Sequence, residues 1–134
     1  GDEAMEEDLY TPASDGDYEV YINVSIASQR LSIEYPGGGW TTKISSGRKG
    51  YGTKRGCFRP YRLAKMHYSK KYDNSPMPHS LFYYGGFAIH GTEYERNLGR
   101  PASHGCIRVS RRDAREMFQI VKYYGAKNTL ICVR

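Results

Sequence analysis

Residues 18–26, YEVYINVSI, set Val20, Ile22, Val24 and Ile26 against Tyr21, Asn23 and Ser25. A period of two buries one face of a strand and cannot bury one face of a helix. ASQR (27–30) is a turn, and LSIEY (31–35) resumes the alternation, so 18–35 is expected to form a hairpin. PGGG (36–39) is a tight turn ahead of a third strand, WTTKIS (40–45). Residues 46–56 hold four glycines and four basic residues and read as an exposed cationic loop. CFRPYRL (57–63) is strand-like, with Pro60 confining it to an edge or an end. KKYDNSPMPHS (70–80) has two prolines among turn formers and reads as a loop. LFYYGGFAIHG (81–91) is expected to be a hairpin about Gly85 and Gly86 that ends at His90.

Against these strands stands one helix, 111–124. Ser110 suits its N-cap, Asp113 lies in the first turn, Ala114, Met117, Phe118 and Val121 share a face, and Gly125 ends it. TLICVR (129–134) closes the chain as a strand. At 134 residues this is one α+β domain, mainly β, with room for a real core and no second domain. No apolar stretch is long enough to span a membrane. The chain starts at Gly1 without a hydrophobic signal segment, which leaves a processed export signal open.

The net charge of +6 is unevenly spread. Residues 1–17 carry seven acids and no Lys or Arg, and read as a solvated acidic lead. The domain at 18–134 then has 20 bases against seven acids, a net of +13. That charge suits a polyanionic partner such as nucleic acid, anionic lipid or a carboxylate-rich cell wall, or serves solubility alone. The bases are scattered among turns with no nucleic-acid-binding motif, so nucleic acid is not the expected partner.

Three cysteines are an odd count. In an oxidising compartment Cys57 and Cys132 can pair and leave Cys106 alone, but sequence does not supply the geometry. Cys106 sits in SHGC, and another histidine, His90, lies 14 residues before His104. Thiol nucleophiles need a base and donors for an oxyanion. Gly105 permits a tight turn whose N–H groups converge, His90 is the freer base, and a helix N-terminus beyond the motif would lower the thiol pKa if it lay close enough. Two plainer readings compete: a small buried thiol, or a zinc site using His90, His104 and Cys106 with His67 or His79. No CxxC or HxxxH spacing supports zinc.

AIHG followed by SHGCIR resembles the signature of the L,D-transpeptidase catalytic domain, cysteine enzymes that remodel bacterial peptidoglycan. ASQRLSIEY, SSGRKGYGTKRGCFRP and SPMPHSLFYYGGFAIHGT extend the likeness over about residues 18–134. The resemblance implies a compact mixed β-sheet sandwich with its principal helix after the cysteine motif. It implies Cys106 as nucleophile and His90 as general base, oriented by the carbonyl of Gly91. Ser103, His104 and Gly105 would shape the site, with the N–H groups of residues 104–106 as oxyanion donors. Arg108 stands where many members have asparagine; it would grip a substrate carboxylate, or else be a surface arginine before the helix. Met77 would touch substrate or merely fill the core, and Tyr84 is placed with the substrate contacts. Lys54 and Arg55 depart from the proline and threonine that many members carry in this loop.

The implied reaction is acyl transfer from a stem tetrapeptide, through a thioester, to an amine on a second stem or on an envelope protein. Water as acceptor would make the protein an L,D-carboxypeptidase, and an unused Cys106 would make it a non-catalytic wall-binding domain. The resemblance implies no metal or cofactor, sensitivity to carbapenems, and a place in the periplasm or cell envelope.

Overall fold

Alternating burial in β1 (Val20–Ser25) and β2 (Arg30–Tyr35) makes them an antiparallel pair, with Ile22 opposite Ile33 and Val24 opposite Leu31. The computed structural model describes residues 18–134, so the acidic lead lies outside the described residues. Pro36 and Gly37, the latter at φ 81°, form the turn into β3 (Gly38–Lys43), where Tyr35 pairs with Gly38. Proline fixes the first corner and glycine supplies the positive φ that the second corner requires. β9 (Thr129–Val133) lies parallel to β1, and β4 (Gly56–Phe58) lies antiparallel to β9. The sheet order is β3-β2-β1-β9-β4. Cys57 faces Cys132 across its β4–β9 edge, and the two form a disulfide.

The expected strand at 57–63 is divided. β4 stops at Phe58, the chain passes Pro60, and β5 (Arg62–Ser69) enters a second sheet. Proline removes a ladder donor, which suits it to this crossing between sheets. The second sheet runs β5-β6-β7-β8, with β6 at Ser75–Tyr84, β7 at Phe87–Thr92 and β8 at Ile107–Ser110. The expected β6–β7 hairpin turns at Gly85 (φ 52°) and Gly86, while β7 and β8 are parallel.

The loop expected at 70–80 needs correction. A 3-10 turn occupies Lys70–Tyr72, Asp73 and Asn74 adopt positive φ, and β6 begins at Ser75. The two prolines are tolerated because β7 pairs with β6 only from Leu81 onward. Residues 75–80 of β6 therefore bond to β5 alone, leaving one edge without a ladder to interrupt.

The helix α1 (Arg111–Tyr124) has the expected bounds. The Ser110 hydroxyl accepts from the Asp113 N–H at 3.0 Å, an N-cap that supplies one orphan donor with a partner. Ala114, Met117 and Val121 are buried on the inner face of α1, which packs against β6, β7 and β8. They join Ile22 and Ile33 from the first sheet, and Leu81, Ile89, Ile107 and Val109 from the second, in one core. Each such side chain fully removed from water contributes roughly 1.5–3 kcal/mol. The architecture is mainly β, with two mixed sheets and one principal helix.

Candidate active site

The parallel register of β7 and β8 sets Ile89 beside Ile107 and His90 beside Arg108. Strand alternation then separates two sets of residues. Ile89, Ile107 and Val109 enter the core, whereas Ala88, His90, Cys106 and Arg108 belong to the opposite face. That face, together with Met77 and Phe82 of β6, lines a cleft of about 430 Å³ that contains His90, Cys106 and Arg108. A one-residue slip of either strand would bury the polar set and expose the apolar one.

His90 is 6% exposed, and its Nδ1 lies 2.7 Å from the Gly91 carbonyl oxygen. A carbonyl only accepts, so Nδ1 carries the proton in this bond and Nε2 is the ring's acceptor. Burial pushes the His90 pKa down to about 4, more than the Gly91 bond raises it, and Arg108 and His67 lower it further. The imidazole is therefore neutral at physiological pH. A Cβ at Gly91 would stand 3.1 Å from the Arg111 backbone, so glycine here lets α1 approach β7 closely.

Burial likewise pushes the Cys106 thiol up from its ordinary value, while a hydrogen bond from the Ala88 backbone and the Arg108 charge pull it down. Its Sγ is 3.4 Å from the Gly86 carbonyl oxygen, a contact suited to a protonated thiol. The resting pair is thus neutral thiol and neutral imidazole. The helix contributes little to this balance. β8 intervenes, and its four residues put the start of α1 roughly 13 Å along the chain from Cys106, beyond the reach of a terminal-turn dipole.

The SHGC turn is pinned from behind. Ser46 O accepts the N–H groups of Ala102 and Ser103, each at 3.0 Å, and Ser45 and Arg108 exchange two backbone bonds at 2.9 Å. The Ser103 hydroxyl donates to Cys106 O at 2.6 Å and accepts the Gly105 N–H at 3.0 Å. That bond corrects the expected donor set, because the Gly105 N–H is directed to Ser103 and away from an oxyanion. Gly105 has φ 128°, and a Cβ there would meet Phe87 at 3.1 Å.

Arg108 is half-buried at the cleft wall, its guanidinium 5.9 Å from the Tyr94 ring centre. Met77 is 6% exposed beside Phe82 and Ala88 in the cleft wall. Tyr84 does not line the cleft. A register shift between Phe82 and Tyr84 breaks the alternation that would place both on the cleft face. Its ring instead packs 5.3 Å from Phe58 and beneath the Lys54 ammonium. Among the described residues, no group of three or more His, Cys, Asp or Glu is disposed to hold a metal.

Several contributors escape a reading by motif. Thr53 accepts the Gly47 N–H and donates to Gly105 O, both at 2.8 Å, tying the basic loop to the cysteine turn. A Cβ on Gly47 would overlap the Tyr51 backbone and stand 3.1 Å from Gly105, so two glycines permit that contact. The glycine content of 46–56 was the available signal; its target was not. His67 and Tyr72, on β5 and the turn after it, also line the cleft.

The family model for the L,D-transpeptidase catalytic domain matches residues 19–131, and the chain belongs to this family. No curated protein gives a significant sequence match. An L,D-transpeptidase from Mycobacterium smegmatis superposes with TM-score 0.75 at 19% identity, over 87% of this chain and 58% of that one. One from Stackebrandtia nassauensis gives TM-score 0.73 at 23% identity, over 95% and 59%. L,D-transpeptidase 3 from Mycobacterium tuberculosis, in complex with a faropenem-derived adduct, gives 0.74 at 19%, over 87% and 60%. These structures share the fold, and the present chain spans less than two thirds of each.

Proposed function

We propose that the protein is a cysteine acyltransferase acting on peptidoglycan stem tetrapeptides in the cell envelope, and that Cys106 and His90 carry the chemistry. The observation that supports this most directly is the shared cleft face of β7 and β8. It presents a thiol, a neutral imidazole with Nε2 as its acceptor, and a guanidinium together.

Cys106 Sγ attacks the carbonyl carbon between the third and fourth stem residues as its proton passes to His90 Nε2. The N–H groups of His104 and Cys106 are the proposed oxyanion donors. The C–N bond then breaks, His90 returns the proton to the departing amine, and a thioester remains. An amine from a second stem or an envelope protein attacks the thioester and gives a proton to His90. The C–S bond breaks as His90 returns that proton to Cys106 Sγ, which re-forms the thiol and the neutral imidazole. No step calls for a metal or cofactor. Arg108 holds a donor carboxylate, and Met77 forms part of the apolar wall beneath the stem. The basic domain attracts acidic stems.

The same thiol is expected to open the strained amide of a carbapenem. Intact-protein mass should rise by one drug equivalent in the wild type and not in Cys106→Ser, whose far less acidic hydroxyl the same base cannot activate equally. His90→Ala should slow acylation by about 10²–10⁴-fold. An adduct that survives Cys106→Ser, or none in the wild type, would overturn the proposal. Mass analysis of stem tetrapeptides incubated with the protein then separates cross-linked, protein-bound and trimmed products.

A further inference from the structure

Among the described residues, four non-glycine residues have positive φ: Gln29 (54°), Asp73 (61°), Asn74 (56°) and His79 (52°). Asn, Asp and His are enriched in that region, and glutamine is not. Gln29 closes the turn between β1 and β2, its N–H donating to Ile26 O at 3.3 Å. Glycine would make the same turn without the Cβ penalty, so the turn alone does not call for a glutamine. A residue held in this conformation needs surroundings that over-determine it.

The side chain supplies them. Gln29 is 4% exposed and Ser46 is 1% exposed. Nε2 of Gln29 donates to Ile26 O at 2.8 Å and to Ser46 Oγ at 2.7 Å, while Oε1 accepts the Ser46 N–H at 3.0 Å. Three of the amide's four bonding positions are thus filled, and exchanging its oxygen and nitrogen would set a donor against the Ser46 N–H. Beyond Ser46, the Gly47 N–H donates to Thr53 Oγ1 at 2.8 Å. The planar peptide that joins Ser46 to Gly47 carries Ser46 O, so that oxygen is fixed from both ends. It is the oxygen that accepts the N–H groups of Ala102 and Ser103, each at 3.0 Å. Ser103 in turn holds Gly105 and Cys106 through its hydroxyl.

We propose that Gln29 is a positioning residue for the cysteine turn: through Ser46 it sets the SHGC backbone, and with it the N–H groups that face the developing oxyanion. The inference rests on the acyl-transfer reading above. It gives the turn of the first sheet a part in the reaction, although neither Gln29 nor Ser46 lines the cleft. A buried amide suits this task, because breaking its bonds leaves polar groups without partners and away from water.

Two reagents separate positioning from mere stability. Cys106 is the free cysteine beside the Cys57–Cys132 disulfide, so both reagents read it alone. A carbapenem develops an oxyanion when its carbonyl is attacked, whereas iodoacetamide alkylates the thiolate by losing iodide and develops none. Gln29→Gly removes the amide and eases the backbone, which favours a folded variant. It should slow carbapenem acylation by about ten- to a hundredfold, the scale of a misplacement of about 1 Å, and change alkylation by less than about twofold. Gln29→Asn keeps an amide and suits the positive φ, but it is too short to reach Ser46 and should match Gln29→Gly. Equal losses with both reagents, no loss of acylation, or wild-type acylation in Gln29→Asn would overturn the assignment.

A second measurement needs no acylation. Hydrogen exchange at the Ala102 and Ser103 amides should quicken by about two- to tenfold in Gln29→Gly, relative to the amides of α1, which follow global stability. Unchanged relative protection at Ala102 and Ser103 would equally defeat it. A wild type that is alkylated but never acylated, with exchange responding as expected, would instead indict the acyl-transfer reading.

Discussion

The two sheets use the same alternation to different ends. In the five-stranded sheet, Val20, Ile22 and Val24 fill the core while Asn23, Ser25 and Ser32 face outward and remain partly exposed. In the four-stranded sheet, β7 carries buried residues on both faces. Ile89, Ile107 and Val109 enter the core, and His90, Cys106 and Arg108 enter a cleft. A histidine on the first sheet's outer face would stay in water near its ordinary pKa. On the second sheet, burial drives His90 down to about 4 and the Cys106 thiol up. The shifted thiol and imidazole follow from placing polar groups on a second, largely buried face, beside a first sheet whose outer face stays in water.

The disulfide belongs to the scaffold side of this division. It joins β4 to β9 across 75 residues of sequence, and neither cysteine lines the cleft. Replacing both with alanine frees the unfolded chain, and the chain-entropy relation sets the expected loss at about 4.5 kcal/mol in a denaturant titration. The acylation rate of the folded variant should not change. A rate that falls together with stability would break the separation between the two sheets.

A somewhat smaller effect should sharpen it. The unfolded chain protonates His90 near pH 6.5, and the folded protein does so only near pH 4. Between those values the unfolded state holds more protons, so stability declines as pH falls through that window. The full contribution, on the order of 3 kcal/mol, is present above pH 6.5 and lost on reaching about pH 4. His79 and His104 also have lowered pKa values, so wild type must be compared with His90→Asn, which keeps a donor for Gly91 O. A pH slope as steep in the variant as in the wild type would show that His90 burial is not the cause.

The same division explains what could be read in advance. The first sheet's hairpin was legible because its alternation is undisturbed from Val20 to Tyr35. The helix was legible from its cap and apolar face, and AIHG and SHGC pointed to two residues, His90 and Cys106, that line one cleft. The β5–β6 pair was not. Met77 and Phe82 share one apolar cluster although five positions apart, because the strand passes through His79 at φ 52° and its alternation changes phase. Pro76 and Pro78 argue locally for a loop, and only the absence of β7 beside them removes the objection. Tyr84 was misplaced for a related reason, since a bulge after Phe82 cannot be counted from residue types. The disulfide required knowing that Cys57 and Cys132 sit opposite each other on neighbouring strands. Each failure concerns non-local pairing, which propensity and period do not encode.

Arg108 tests the cleft side alone, with the smallest expected effect. Its guanidinium has a long contact, 3.5 Å from Nη1 to Ala102 O, and otherwise approaches the Tyr94 ring, so it is not committed to a strong internal partner. It also lowers the pKa of the Cys106 thiol. Arg108→Ala should therefore act twice. Removing the charge should shift the pH–rate profile of Cys106 acylation to higher pH for every electrophile, charged or not. Removing the fork should cost a stem peptide a further charged hydrogen bond, about 1.5–3 kcal/mol in kcat/KM, that a small uncharged electrophile never had. Arg108→Lys separates the two: it keeps a positive charge, so the pH profile should recover, but not the bidentate geometry, so the stem-specific loss should persist in part. Equal losses for stem peptide and uncharged electrophile, with no recovery of the pH profile in Arg108→Lys, would make Arg108 part of the scaffold on the sheet where chemistry is expected.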